Sequence, residues 1–195
     1  MKMKSIAVFC GSSSGSKDYY YEQAFNLGKK LAHLEIDMIY GGSNAGLMGA
    51  VANGALSEGG KVVGVIPEFL VDKELAHEGL SELILVKSMH ERKYKMNELC
   101  DGVIALPGGY GTLDELFEML TWGQLGLHKK PVALYNIHGY YNTLINLVQH
   151  MVSSGFLKES NQKMLLINED LDALLKEMNE YVAPEVEKWL NRSRS

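Results

Sequence analysis

The chain has 195 residues, 46% hydrophobic and 22% charged, enough for one well-cored globular domain and short for two. Its formal net charge is −5 with a pI near 5.7. No long run of Lys or Arg occurs, which argues against a nucleic-acid-coating surface while leaving room for a local basic pocket.

In chain order, "SIAVFC" predicts a first strand, since its apolar run is too brief for a signal peptide's core and ends in a turn. The helical pattern "DYYYEQAFNLGKKLAHLE" follows, in which Tyr19, Tyr20 and Tyr21 read as helix packing and surface. "IDMIYG" leads into the helix "AGLMGAVANGALSEG", where Gly49 and Ala50 suit close packing on a sheet. The strands "KVVGVIP" and "LILVKS" come next, then the helix "HERKYKMNELC". "GVIALP" feeds "TLDELFEMLTWGQLG", with Thr112 as its cap, and "KPVALYN" feeds "YYNTLINLVQHMVSSG", with Gly155 as its stop. The tail "NEDLDALLKEMNEYVAPEVEKWLNRSRS" predicts two helices, Pro184 fitting the first turn of the second, which frays. Continuous apolar strands separated by helices indicate a doubly wound α/β fold, a mainly parallel sheet flanked by helices, in one domain over residues 1–195. No stretch is long enough to span a membrane. Cys10 and Cys100 lack partner spacing and read as buried free thiols of a cytoplasmic protein.

In such sheets ligands sit beyond the carboxyl ends of the strands, and three loops there are rich in glycine. The first, "CGSSSGS", offers the amides and hydroxyls of Ser12 to Ser14 to an anion or sugar, or is simply a capped turn. The second, "YGGSNAGLMGAVANGA", spaces Gly41 and Gly46 like a Walker A loop, but Leu47 and Met48 replace its Lys and Ser/Thr. A P-loop NTPase is therefore disfavoured, and neither loop spells GxGxxG; nucleotide contact and plain packing both remain open. The third, "LPGGYGTLDEL", runs from Leu106 to Leu116 and gathers backbone N–H groups at a helix N-terminus, a ready phosphate site. Gly108, Gly109 and Gly111 permit close approach, Thr112 adds a hydroxyl, and Asp114 and Glu115 are expected in the first helical turn. Carboxylates repel a phosphate, so one acid aimed at the sugar beyond it gives their position a purpose. The alternative is complementing the helix dipole. Successive residues point about 100° apart, so only one of the two faces the ligand.

Arg92 and Lys93 in "KSMHERKYKMNELC" suit an anion grip or a solvated basic face equally well. The six histidines show no metal-ligand spacing, "HERKY" is not HExxH, and neither a Ser/His/Asp triad nor a GxSxG elbow can be picked out.

"PGGYGTLDE", from Pro107 to Glu115, resembles the PGGxGTxxE motif of the "lonely guy" (LOG) family, the cytokinin riboside 5′-monophosphate phosphoribohydrolases. "SMHERK" resembles that family's arginine motif. The likeness extends in order through "GSSSG", "YGGSNAGLMGAVA", "GVIP", "TWGQLGLHKKPVALYN" and "GYYNTL", from about Ile6 to Phe156. It implies a Rossmann-like fold and hydrolysis of the N-glycosidic bond of AMP or N6-prenylated AMP to a free base and ribose 5-phosphate. By motif position, Arg92 and Glu115 match the family's catalytic pair. Lys93, Gly109, Tyr110, Gly111, Thr112 and, more loosely, Glu74 and Thr121 match its substrate contacts. Ser12, Gly42, Gly46, Met89 and Gly108, in the same motifs, complete the candidate binding set. Ser43 departs from the third glycine common in relatives. The resemblance further implies a homodimer with active sites near the subunit interface, and no metal or redox cofactor is required. An old label for such proteins, lysine decarboxylase, finds no support, for no lysine has a convincing pyridoxal phosphate context. The rival reading is a non-catalytic holder of a phosphorylated ligand, like the molybdenum cofactor carriers.

Overall fold

The computed structural model describes residues 3–71 and 76–185. Its apolar runs form seven strands: β1 (Ser5–Phe9), β2 (Asp37–Tyr40), β3 (Val62–Pro67), β4 (Glu82–Val86), β5 (Gly102–Ala105), β6 (Val132–Tyr135) and β7 (Leu165–Asn168). They make one parallel sheet in the order β4-β3-β2-β1-β5-β6-β7. The helices are α1 (Asp18–His33), α2 (Gly46–Ser57), α3 (Met89–Leu99), α4 (Tyr110–Gln124), α5 (Asn142–Ser153), the single turn α6 (Glu159–Gln162) and α7 (Leu171–Glu180).

Side chains alternate across a strand, and β1 feeds two cores in this way. Ile6 and Val8 pack with residues of α1, α2 and α7, among them Leu27, Val51 and Leu174. Ala7 and Phe9 pack with Met96 of α3, Leu116 and Met119 of α4, and Tyr141 beside α5. The sheet is therefore covered on both faces, which is why its central strands are apolar throughout. The edge strand β4 departs from that pattern, with Leu83 and Leu85 exposed. The seventh strand lies in a stretch to which the sequence assigns no element, because "LLIN" is four residues long and has no flanking Gly or Pro.

α1 and α2 touch backbone to backbone. A Cβ on Gly28 would overlap the Val51 carbonyl oxygen, and one on Gly54 would overlap that of Phe25. Alanine is ordinarily better than glycine in a helix by about 1 kcal/mol, yet here it must push two helices apart. We expect Gly54→Ala to destabilise the protein by about 1–3 kcal/mol, the usual scale of core overpacking. Denaturant titration checks this, and an unchanged or raised midpoint would show that the helices part freely.

Local chemistry sets the helix ends. Ser88 caps α3 by accepting from Glu91 N at 3.2 Å, and the Glu91 carboxylate accepts from Lys87 N at 2.7 Å. Gly155, with φ +79°, follows α5 as expected. Pro184 lies in non-helical chain after α7, and the rest of the predicted last helix falls outside the described residues.

β1 and β5 are neighbours, but β1 leads through α1 to β2 on one side and β5 through α4 to β6 on the other. The loops leaving them diverge at this switch point and open a crevice.

Candidate active site

Three loops converge on the switch point because their backbones lock together. Gly11 N donates to Pro107 O at 3.0 Å, Leu106 N to Phe9 O at 2.9 Å, and Leu47 N to Gly11 O at 3.1 Å. Gly46 (φ +53°) leaves no room for a side chain, since a Cβ there would overlap the Ser12–Ser13 backbone. Its glycine character is thus explained by contact between the first two loops, while Ser12 stays exposed at the rim. Gly42 is buried against Gly64 and Ile66 of β3 and Leu83 of β4, its carbonyl accepting from His77 N at 2.9 Å. Gly49 meets the Asn44 backbone of its own loop, not the sheet.

α4 begins three residues earlier than a cap at Thr112 implies. Gly109 is its N-cap, and no side chain caps it. Thr112 is therefore not the cap but the third helical residue, buried at 3% exposure with its hydroxyl against Gly108. Asp114 and Glu115 correspondingly fall in the second turn. The first bond of the helix runs from Leu113 N to Gly109 O at 3.2 Å. The N–H groups of Tyr110, Gly111 and Thr112 precede it and have no intrahelical partner. Among the described residues, a Cβ on Gly109 or on Gly111 would meet nothing within 4 Å. Neither glycine has a positive φ. Glycine inside a helix costs about 1 kcal/mol against alanine, and at Gly111 neither packing nor backbone geometry requires it. Tyr110 stands 94% exposed beside Gly111.

Arg92 is buried at 5% exposure and tied to the strand ends. Its Nε donates to Val65 O at 3.0 Å and an Nη to Gly41 O at 2.8 Å. Another Nη lies 3.8 Å from the Met89 sulfur. A Cβ on Gly41 would overlap the guanidinium, so that glycine serves the arginine directly. Glu115 is half-buried. Both charges act on the Cys10 thiol at the end of β1: burial pushes its pKa up, Glu115 adds to this, and Arg92 opposes it. Arg92 and Glu115 are thus both within electrostatic reach of Cys10. Cys10 and Cys100 are both free and buried.

Lys93 does not face the crevice unencumbered. Its Nζ lies 3.0 Å from Asp114 Oδ2 and 3.0 Å from Glu118 Oε2, bridging α3 to α4. Burial alone would lower its pKa, but the two carboxylates outweigh it and the net shift is upward, so the ammonium stays charged. Of the two adjacent acids, Asp114 is thus engaged by Lys93. The spacing of Asp114 and Glu118, four residues apart on one helix face, was the available signal.

Thr121 hydrogen-bonds its own helix, donating to Phe117 O at 2.7 Å. It lies six residues past Glu115, about 9 Å farther along α4. There it lines an open groove of about 480 Å³ together with Tyr110, Leu113, Phe117 and Trp122, with Asp114 and Glu118 on its margin. Every lining residue belongs to α4; neither Arg92 nor either of the first two loops contributes. The groove is thus an exposed face of α4, apart from the loops that meet at the switch point. Glu74 lies outside the described residues. His90 is exposed, and among the described residues no group of three or more His, Cys, Asp and Glu side chains is arranged to hold a metal ion.

The fold and the crevice define a Rossmann-like α/β protein that presents a bare helix N-terminus at the switch point of its sheet, an arrangement suited to a phosphate. Residues 48–178 match a family described as "Possible lysine decarboxylase". Curated relatives are closer in detail. The chain is 44% identical over 180 residues to the cytokinin riboside 5′-monophosphate phosphoribohydrolase LOG7 of Arabidopsis thaliana, covering 92% of this chain and 83% of that one. It is 43% identical over 189 residues to the LOG enzyme of Oryza sativa subsp. japonica, covering 97% and 78%. The protein belongs to the LOG family of cytokinin riboside 5′-monophosphate phosphoribohydrolases. Solved structures share the fold at lower identity. A molybdenum cofactor carrier protein from Chlamydomonas reinhardtii has a TM-score of 0.69 at 19% identity, covering 90% of this chain and 96% of that one. The molybdenum cofactor binding protein from Rippkaea orientalis gives 0.67 at 20%, covering 92% and 98%.

Proposed function

We propose that this protein hydrolyses the N-glycosidic bond of an adenosine 5′-monophosphate, plain or N6-prenylated, to the free base and ribose 5-phosphate. Family membership supports the reaction class, and the observation that carries the site is the empty space over Gly109 and Gly111 at an uncapped helix N-terminus. The 5′-phosphate sits there, with the amides of Gly109 to Thr112 as donors and Ser12 at the facing rim. Anchored so, it supplies binding energy remote from the bond that breaks.

Cleavage at C1′ passes through an oxocarbenium-like transition state. The C1′–N bond breaks with its electron pair leaving on the base, which takes up a proton from solvent, and Glu115 afterwards returns to solvent the proton it receives from water. Water adds to C1′ and gives its own proton to Glu115, whose charge also stabilises the developing cation. Arg92, fixed by Val65 O and Gly41 O, orients Glu115 or binds substrate. Lys93 serves substrate binding through α4, which it braces by way of Asp114 and Glu118. The test is to incubate the protein with AMP and with isopentenyladenosine monophosphate and follow base release by chromatography. Tight binding without release would favour the carrier reading instead.

The protein acts as a homodimer through the α4 groove, whose apolar residues Leu113, Phe117 and Trp122 are the partner surface. This placement gives Thr121, distant from the glycine loop of its own chain, a role near the interface. Light scattering at micromolar concentration should give twice the 21.7 kDa chain mass, and a monomer would refute it. Among the described residues no helix is long and apolar enough to cross a membrane. Two free, buried thiols accord with a cytoplasmic location.

A further inference from the structure

Two consecutive tyrosines reach from the end of β6 to the glycine-rich loop, and none of the roles above uses them. Tyr140 Oη donates to Gly108 O at 2.7 Å, and Tyr141 Oη donates to Leu106 O at 2.5 Å. The accepting carbonyls flank Pro107. Tyr141 is buried, whereas Tyr140 is 43% exposed and still makes its bond.

The two bonds differ in what they orient. A peptide unit is planar and trans, so fixing its C=O fixes the opposed N–H. The unit accepting from Tyr141 joins Leu106 to Pro107 and has no N–H to direct. The unit accepting from Tyr140 joins Gly108 to Gly109, and its N–H belongs to Gly109, the N-cap of α4 beside the open space. With glycine on both sides, that peptide has no side chain of its own to restrain its rotation. The Tyr140 hydroxyl is thus the group that turns the Gly109 amide away from itself.

The ring that carries this hydroxyl is braced. Tyr140 packs edge-on against Tyr20 at 5.8 Å between centroids and against Tyr141 at 4.9 Å. Tyr20 packs in turn on Tyr19 at 4.5 Å. A Cβ on Gly15 (φ +79°) would lie 2.8 Å from the Tyr20 ring, so the first glycine-rich loop rests on the same ladder. One aromatic strut therefore spans the two loops that border the crevice.

We propose that Tyr140 is a positioning residue for the phosphate monoester: its hydroxyl, braced by Tyr20, aims the Gly109 amide at the phosphate without touching the ligand. The inference rests on the reading of this crevice as a 5′-phosphate site. Calorimetric titration of ribose 5-phosphate into wild type, Tyr140→Phe and Tyr141→Phe tests it, alongside KM and kcat for AMP.

Loss of one aligned amide–phosphate bond should raise the Tyr140→Phe dissociation constant about tenfold. KM for AMP should rise in step, while kcat and Tm stay close to wild type. Tyr141→Phe removes a buried bond that orients no donor, so it should lower Tm and leave the dissociation constant within about twofold. An unchanged dissociation constant in Tyr140→Phe would overturn the proposal, as would equal weakening in both variants, which would assign the effect to loop stability. Ribose 5-phosphate binding by wild type without AMP hydrolysis would defeat the hydrolase reading while leaving the titrations to decide this one. No binding by wild type would defeat both.

Discussion

Glu115→Gln should abolish base release while leaving nucleotide binding intact. The amide keeps the size of the carboxylate but neither carries charge nor takes a proton from water. Both proposed services of Glu115, stabilising an oxocarbenium-like centre and activating water, disappear together. Each such service typically contributes about 10²–10⁴ in rate, so a fall of at least about 10³ in kcat is expected. Binding should change little, because the proposed phosphate site at the N-terminus of α4 lies about one turn before Glu115. A variant that turned over at a near-normal rate would remove Glu115 from the mechanism. One that lost binding and turnover equally would make it a structural residue.

Gly111→Ala should make the free protein more stable and the enzyme nearly inactive. Gly111 sits in the first turn of α4 with nothing within 4 Å of an added Cβ. Alanine there relieves the helix of a glycine and should raise stability by up to about 1 kcal/mol. With substrate present, the same methyl occupies the space where phosphate oxygens approach the amides. Displacing the phosphate from two or three charge-assisted bonds should cut kcat/KM about 10²-fold or more. Thermal unfolding and steady-state kinetics on one preparation check both signs. Loss of stability together with activity would mean that Gly111 is needed for the fold and not for the ligand. The pair of signs is the diagnostic of a residue kept for function at some expense in stability.

The parallel sheet and its wrapping were legible because continuous apolar strands alternating with helical patterns admit few other folds. The glycine-rich loops were legible as loops, but not the reason for each glycine. Gly46 and Gly111 look alike in sequence, yet one avoids a clash with Ser12 and the other leaves an open space. That distinction depends on chain segments brought together by folding. Thr112 was misplaced as a cap because the N-cap is Gly109, which has no side chain to announce it. β7 was missed for want of length and punctuation. The partners of Arg92, the carbonyls of Gly41 and Val65, could not be foreseen, since backbone acceptors leave no mark in sequence. Lys93 paired with Asp114 and Glu118 shows the same limit from the other side, as its charge pointed equally to a ligand or to a neighbour. Tyr140 and Tyr141 lay in a recognised motif, "GYYNTL", without a role until their hydroxyls were seen on the carbonyls either side of Pro107.

The central claim is that the crevice holding Arg92 and Glu115 breaks the glycosidic bond of a nucleotide anchored by its phosphate. The most direct measurement is release of adenine and ribose 5-phosphate from AMP by wild type and by Glu115→Gln, with AMP affinity measured on both proteins. Equimolar release by wild type, lost in a variant that still binds AMP, is the predicted result. AMP bound by wild type but never cleaved, with or without the N6-prenyl group, would contradict it.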